Sequence, residues 1–265
     1  FGIGTTEFVM MGLLPEVASN LNVTLPQAGN YVSAYAMGVV VGAPLLTIGG
    51  MRARRKTMLL SMLALFTFGN VFSSLAGSHG MLLLARFVAG LPHGAFFGVG
   101  AVVAASLVAR DKRAQAISMM FIGLTVANIV GVPVGTLLGQ ELGWRWTFAL
   151  VAVIGVVAFA AVIALVPQQP KPTEVSLRTE LSAFRRPQVW LSMAVVVFGF
   201  AATFPFYSYI KPALVNVTGY TPTGVTVLLA LFGIGMTVGT AMGGRLADRA
   251  PLPTLVIGLT ALAGS

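Results

Sequence analysis

Residues 121–148 read FIGLTVANIVGVPVGTLLGQELGWRWTF, and their pattern sets the class of the whole chain. Gly123, Ala127, Gly131, Gly135 and Gly139 recur at every fourth position. Positions four apart form one ridge on a helix. A ridge without side-chain bulk admits a second helix at close range, which is how helices associate where lipid removes the hydrophobic drive. The spacing predicts a membrane helix built to slide against another. Asn128 and Pro133 interrupt the apolar run, and Gln140, Glu141, Gly143 and the cluster Trp144, Arg145, Trp146 close it at a membrane surface.

The rest of the composition agrees. Apolar residues make up 57% of the chain and charged residues only 9%, too little charge to solvate a soluble globule. An all-α integral membrane protein is expected. The net charge of +9 does not point to nucleic acid, because the basic residues sit in short clusters between apolar runs of about 20 residues, the length that spans a ~30 Å hydrocarbon core. With no Cys there is no disulfide framework, thiolate nucleophile or Cys-ligated metal, and two separated His make no metal motif. No metal or cofactor is expected. No secretory signal peptide is visible. The chain opens without Met at Phe1, inside an apolar segment, and stops at Ser265 inside another, so it reads as a fragment.

Apolar spans are expected at 1–18, 28–50, 57–77, 80–107, 115–139 and 146–166, then at 189–210, 223–244 and from Leu252 onward. The expected organisation is a six-helix bundle over 1–166 with a truncated first helix, a cytoplasmic linker over 167–188, and a partial bundle over 189–265. Alternate loops are basic: Arg52, Arg54, Arg55 and Lys56; Arg110, Lys112 and Arg113; Lys171, Arg178, Arg185 and Arg186; Arg245 and Arg249. The positive-inside rule makes those loops cytoplasmic, and the amino terminus with them. Trp144, Trp146 and Trp190 all fall at span ends, as an aromatic belt requires. In the linker, Leu177, Leu181 and Phe184 recur at helical spacing opposite Arg178, Glu180 and Arg185. That pattern fits either a short helix on the membrane surface or a mobile connection.

The small-residue stripe repeats. Ala34, Gly38 and Gly42 lie in the second span, and Gly235, Gly239 and Gly243 in the eighth, three spans on either side of the fifth. A three-span period inside six-span halves is the nested symmetry of secondary transporters. Spans two, five and eight are therefore expected at a moving seam, with Gly38, Gly42, Gly123, Gly131, Pro133, Gly135, Gly139, Gly235 and Gly239 on it.

Gly244-Arg-Leu-Ala-Asp248-Arg249 resembles the loop signature of the major facilitator superfamily, Arg86-Phe-Val-Ala-Gly90 its fourth-span signature, and Gly131-Val-Pro133-Val-Gly135 its fifth-span antiporter signature. Thr6-Glu7-Phe8, the run Leu91 to Gly100 and the runs Thr125 to Asn128 and Gly143 to Phe148 are similar to one branch, the drug:proton antiporters of the AraJ type, which includes arabinose efflux permeases and chloramphenicol exporters. The resemblance implies the twelve-helix fold of that superfamily, of which this fragment holds about eight to nine helices. The chain departs from the pattern in one place: no acidic residue lies between Thr47 and Lys56 to match Asp248, which puts a first-half gate in doubt. Asp248 and Arg249 remain as a cytoplasmic gate that locks one transporter state.

An ionisable group in hydrocarbon is costly unless it faces a cavity or a partner. Glu7 lies about eleven residues before the outer end of its span, near the midplane at ~1.5 Å per residue. A carboxyl there can take up and release a proton as the cavity opens to each side, or can belong to a fixed hydrogen-bond network. Arg86, Gly90 and His93 share one face of the fourth span, and the resemblance places spans one and four at the central cavity. Arg86 then either switches the charge of a nearby carboxylate or braces a helix pair, and His93 either relays protons or rests neutral in a hydrogen bond. Tyr35, Phe97, Asn128, Phe204 and Tyr207 are candidates for the substrate cavity, with Phe96 and Phe206 beside them. Pro205 and Pro212 are placed to kink the seventh span.

The expected function is export of a small molecule such as a drug or sugar by alternating access, driven by the proton gradient, in a monomer embedded in bacterial inner-membrane lipid. Export of nucleosides or purines, and uncoupled facilitation, stay open. An enzyme would need a nucleophile, metal or carboxylate pair that the chain lacks, and a sensor would need longer loops than the linker.

Overall fold

The computed structural model describes residues 1–170, 182, 185–198 and 222–264. The candidate residues Phe204 and Tyr207, with Pro205, Phe206, Pro212 and the proposed surface helix around Leu181, lie outside them. Among the described residues the chain is helical. The elements are α1 (Gly2–Asn20), α2 (Leu25–Gly50), α3 (Arg55–Ser74), α4 (His79–Ser106), α5, α6 (Trp144–Leu165), α7 (Pro187–Phe198), α8 (Pro222–Arg249) and α9 (Pro251–Gly264). Three consecutive pieces make up α5: Arg113–Val126, a π turn over Ala127–Gly131, and Val132–Leu142. Among the described residues α2, α3, α4, α5 and α6 are long and apolar enough to cross a membrane, so the chain is a multi-pass membrane protein.

The helices extend a few residues past the apolar runs because polar caps hold their ends. Thr24 and Gln27 close a reciprocal capping box at the start of α2, with Gln27 N–H donating to Thr24 Oγ1 at 3.3 Å and Thr24 N–H to Gln27 Oε1 at 2.8 Å. Ser78 Oγ accepts from Met81 N–H at the start of α4. Between α5 and α6 the chain turns at Gly143, whose φ of 99° suits glycine. Pro133 has no N–H to donate and would crowd the turn before it, and the π turn directly upstream opens the backbone at that point.

The main core gathers at the ends opposite the basic loops. Val9, Met10, Leu13 and Val17 of α1 meet Tyr31 of α2, Leu82 of α4, and Trp144 and Phe148 of α6. Met58, Met62 and Ala95 form a smaller cluster nearer the basic loops. Outside, Val40, Leu45, Val153, Val156 and Val157 stand exposed, as surfaces bathed in lipid do.

The small-residue stripes bring helices together within the first half of the chain. A Cβ on Gly38 would collide with the backbone of Phe87, one on Gly42 with that of Leu91, and one on Gly90 with the carbonyl of Tyr35, so α2 lies directly on α4. Gly131, Gly135 and Gly139 of α5 receive Thr5, Val9 and Leu13 of α1, and Gly123 meets Phe1. Among the described residues both stripes thus pack within the first half of the chain. A Cβ on Gly235 or Gly239 of α8 would meet nothing within 4 Å among the described residues. The two halves meet through another face of α5, where Gly233 sits on Ile129, Gly244 on Ser118, and Thr237 donates to Thr125 at 2.8 Å. A stripe of small residues marks close approach without naming the partner; α5 offers its glycine face to α1 and its Thr125, Ile129 and Ser118 face to α8.

Gly42→Ala, which drives a methyl into the Leu91 backbone, is expected to destabilise the chain by about 1–3 kcal/mol as overpacking does, whereas Gly239→Ala stays within about 0.5 kcal/mol. Thermal unfolding in detergent compares the two.

Candidate functional site

Arg86 of α4 is completely buried, the largest side chain to be so. Its Nη1 donates to Thr6 Oγ1 of α1 at 3.0 Å, and Thr6 in turn donates to Asn70 Oδ1 of α3 at 2.6 Å. Asn70 is fixed by its own amide, which donates to the Phe66 carbonyl at 2.8 Å. The guanidinium lies 4.5 Å from the ring centre of Tyr35 and 5.5 Å from that of Phe148, close enough for cation–π attraction. Among the described residues Nε and Nη2 of Arg86 have no hydrogen-bond partner.

Glu7 follows Thr6 directly and is half-buried. No ion pair within 4 Å joins it to Arg86 among the described residues. The two interact through the field, together with Tyr35. A buried cation left with one neutral hydrogen bond and two aromatic faces is under-compensated.

His93 lies farther along the same face of α4. Its Nδ1 is 3.0 Å from the hydroxyl of Tyr35, the tautomer deciding which group donates. Tyr35 therefore touches both basic residues, with its ring on Arg86 and its hydroxyl on His93. The His93 ring neighbours Phe97 at 5.2 Å, and Phe97 stacks on Phe121 of α5 at 5.0 Å. Asn128 sits in the π turn, where its Nδ2 donates back to the Leu124 carbonyl at 3.2 Å while Oδ1 is buried without a partner.

The structure thus brings Glu7, Arg86, Tyr35, His93 and Phe97 into one polar and aromatic strip along α1, α2 and α4, with Asn128 on α5. Tyr35 is buried in the helix contact and does not line an open cavity. From the sequence Thr6 stands only as part of the run Thr6-Glu7-Phe8, and Asn70 is not a candidate. The signal for Asn70 was there, a carboxamide inside an apolar helix. A second Tyr–His pair joins α2 to α4, Tyr31 and His79 at 2.7 Å.

At the basic ends, Asp248 of α8 reaches the start of α5. Its two oxygens accept from the N–H groups of Ala114 and Gln115 at 2.7 and 2.8 Å, where the helix dipole favours an anion. Arg249 is exposed. The first-half loop without an acid is fastened differently: Arg54 donates to Gln168 at 2.6 Å, and Lys56 to the Ile163 carbonyl at the end of α6 at 2.7 Å. On the opposite surface Arg145 stacks on Trp144 and ties Asn20 of α1 to the Ala76 carbonyl after α3.

The family model described as Major Facilitator Superfamily matches residues 1–265. The inner membrane transport protein YdhP of Escherichia coli (strain K12) is 45% identical over 96% of this chain and 66% of its own length. AraJ of the same organism is 41% identical over 94% of this chain and 63% of its own length. A chloramphenicol resistance protein of Streptomyces lividans is 36% identical over 98% of this chain and 69% of its own length. Among solved structures, the proton:xylose symporter XylE bound to 6-bromo-6-deoxy-D-glucose superposes with a TM-score of 0.74, covering 94% of this chain and 67% of that one at 15% identity, a likeness of fold. The chain belongs to the Major Facilitator Superfamily and has its fold. Its relatives are transport proteins and not enzymes, consistent with the drug:proton antiporter branch, and it spans about two thirds of the length of YdhP and AraJ.

Thr6→Val removes the single hydrogen bond of a buried guanidinium and the donor to Asn70. It is expected to cost about 1–3 kcal/mol, as loss of a buried partner does, while Thr6→Ser stays near the parent. Unfolding midpoints of the two variants check this.

Proposed function

We propose that the protein to which this chain belongs exports a small molecule across the bacterial inner membrane in exchange for protons, with Glu7 as the residue that takes up and releases the proton. The observation that carries this reading is the position of Glu7. It is half-buried in α1, one residue from the Thr6 that holds Arg86, and coupled to a guanidinium that has no carboxylate in contact. Arg86 favours the ionised carboxyl when the two approach, and a protonated carboxyl is favoured when they part. Tyr35 and His93 extend the polar strip away from that pair.

Movement between the two open states follows from the contacts of α5. The Asp248 carboxylate on the first turn of α5 joins the halves at the basic surface, which the positive-inside rule makes cytoplasmic. That contact holds one of the two states. Substrate would pass between the halves beside Phe97 and Asn128. The names of the relatives support a drug or sugar as cargo. The protein works as a monomer in lipid with protons as co-substrate and needs no cofactor beyond the proton gradient.

The test uses everted vesicles carrying the full reading frame and a fluorescent reporter of the pH gradient. Chloramphenicol and arabinose are added separately to the parent and to Glu7→Gln. The expected result is collapse of the gradient by one compound in the parent only. Equal collapse in Glu7→Gln would remove that residue from the coupling, and no response to either compound in either protein would defeat proton-driven export of these classes.

A further inference from the structure

Arg55 opens α3 and Arg113 opens α5, and the two flank a cleft of about 370 Å³ at the basic surface. Its apolar wall is formed by Val102 and Ala105 near the end of α4 and by Ile117 in the second turn of α5, with Ser106 at the rim. Of the cations beside Arg55 in sequence, both are already engaged. Arg54 bonds Gln168 and Lys56 bonds the Ile163 carbonyl, leaving Arg55 as the member of that run turned to the cleft. Neither Arg55 nor Arg113 has a hydrogen bond or ion pair among the described residues.

The other polar groups nearby are spent. Ser106 donates to the Val103 carbonyl at 2.7 Å and to Gln169 Oε1 at 3.2 Å. The acids near Arg113 are Asp111, exposed in the preceding turn, and Asp248, held by the N–H groups of Ala114 and Gln115. Two unspent guanidinium groups therefore face one cleft whose wall is hydrocarbon. Val102 is 47% exposed there.

A free anion would use the arginines but leave the apolar wall wet. An alkyl chain would use the wall but leave the arginines bare. One amphiphile satisfies both, and the cleft lies at the helix ends, where headgroups stand. We infer that this cleft seats an anionic phospholipid, its phosphoryl group between Arg55 and Arg113 and its acyl chain along Val102, Ala105 and Ile117. Basic pockets between membrane helices recognise anionic headgroups in this way. The lipid would bridge the starts of α3 and α5 beside the Asp248 contact.

The full-length protein is purified into nanodiscs of phosphatidylcholine with phosphatidylglycerol, and the phosphatidylglycerol retained on release is counted by native mass spectrometry. The parent is expected to retain it, and Arg55→Gln and Arg113→Gln to weaken retention about fivefold each, the equivalent of about 1 kcal/mol per cation near a membrane surface. The pair Arg55→Lys with Arg113→Lys keeps the charge and is expected to retain the lipid, which separates loss of charge from misfolding. Arg110→Gln, an exposed cation outside the cleft, is expected to behave as the parent. An equal loss with Arg110→Gln would show diffuse attraction, and full retention in the double Gln variant would show that the arginines are not the site. Displacement of the lipid by inorganic phosphate would show an anion site indifferent to the acyl chain. Each of these three outcomes overturns the inference.

Discussion

One charge that cannot reach water organises the first six helices. Arg86 is buried by α1, α2, α3 and α6 together, and each helix answers part of its need: Thr6 accepts a hydrogen bond, Tyr35 and Phe148 offer ring faces, and Asn70 orients Thr6. None of these is an anion. A guanidinium held by neutral groups alone keeps most of its field, so it acts on whatever titrates nearby without being quenched by a permanent partner. That distinguishes it from a structural ion pair, where the carboxylate would lie in contact and titration would be suppressed.

Holding four helices around one side chain requires that they come close, and the glycines make this possible. The α2–α4 contact is backbone on backbone at Gly38, Gly42 and Gly90, which is why the Tyr35 hydroxyl can reach His93 while its ring still covers Arg86. In lipid no hydrophobic drive presses helices together, so close packing and a few internal hydrogen bonds must supply the adhesion. The exposed valines and leucines of α2 and α6 contribute nothing to that adhesion; they match the solvent.

The helices were legible because hydropathy and length suffice for them, and Arg86, His93 and Glu7 were legible because ionisable groups stand out in an apolar run. The partners were not. Thr6 and Asn70 resemble many polar residues that merely bond back to their own helix, as Ser73 and Ser61 do here, and only the fold shows that these two reach across. The glycine stripes announced a close contact and its periodicity. The choice of α1 and α4 as partners depends on which faces meet in three dimensions, which spacing along one helix does not encode. Asp248 was readable as a helix-end charge, but its acceptance of two N–H groups from α5 requires the docking of α8.

The setting of Glu7 follows from its two predecessors. At about 100° per residue around a helix, Thr5, Thr6 and Glu7 point into three different sectors. Thr5 enters the groove at Gly131, and Thr6 enters the network of Arg86 and Asn70. With two sectors pinned by neighbours that tolerate no rotation, the third is determined, and Glu7 faces neither contact. The α5 groove that pins Thr5 depends in turn on its π turn. Residues four apart drift by about 40° per step on a regular helix, so Gly123 and Gly131 on an unbroken helix would stand about 80° apart. A turn that takes more residues lies between them, over Ala127–Gly131, and subtracts from that drift, so both meet the start of α1, at Phe1 and Thr5. The irregularity around Asn128 and Pro133 thus helps to fix where the carboxyl of another helix stands.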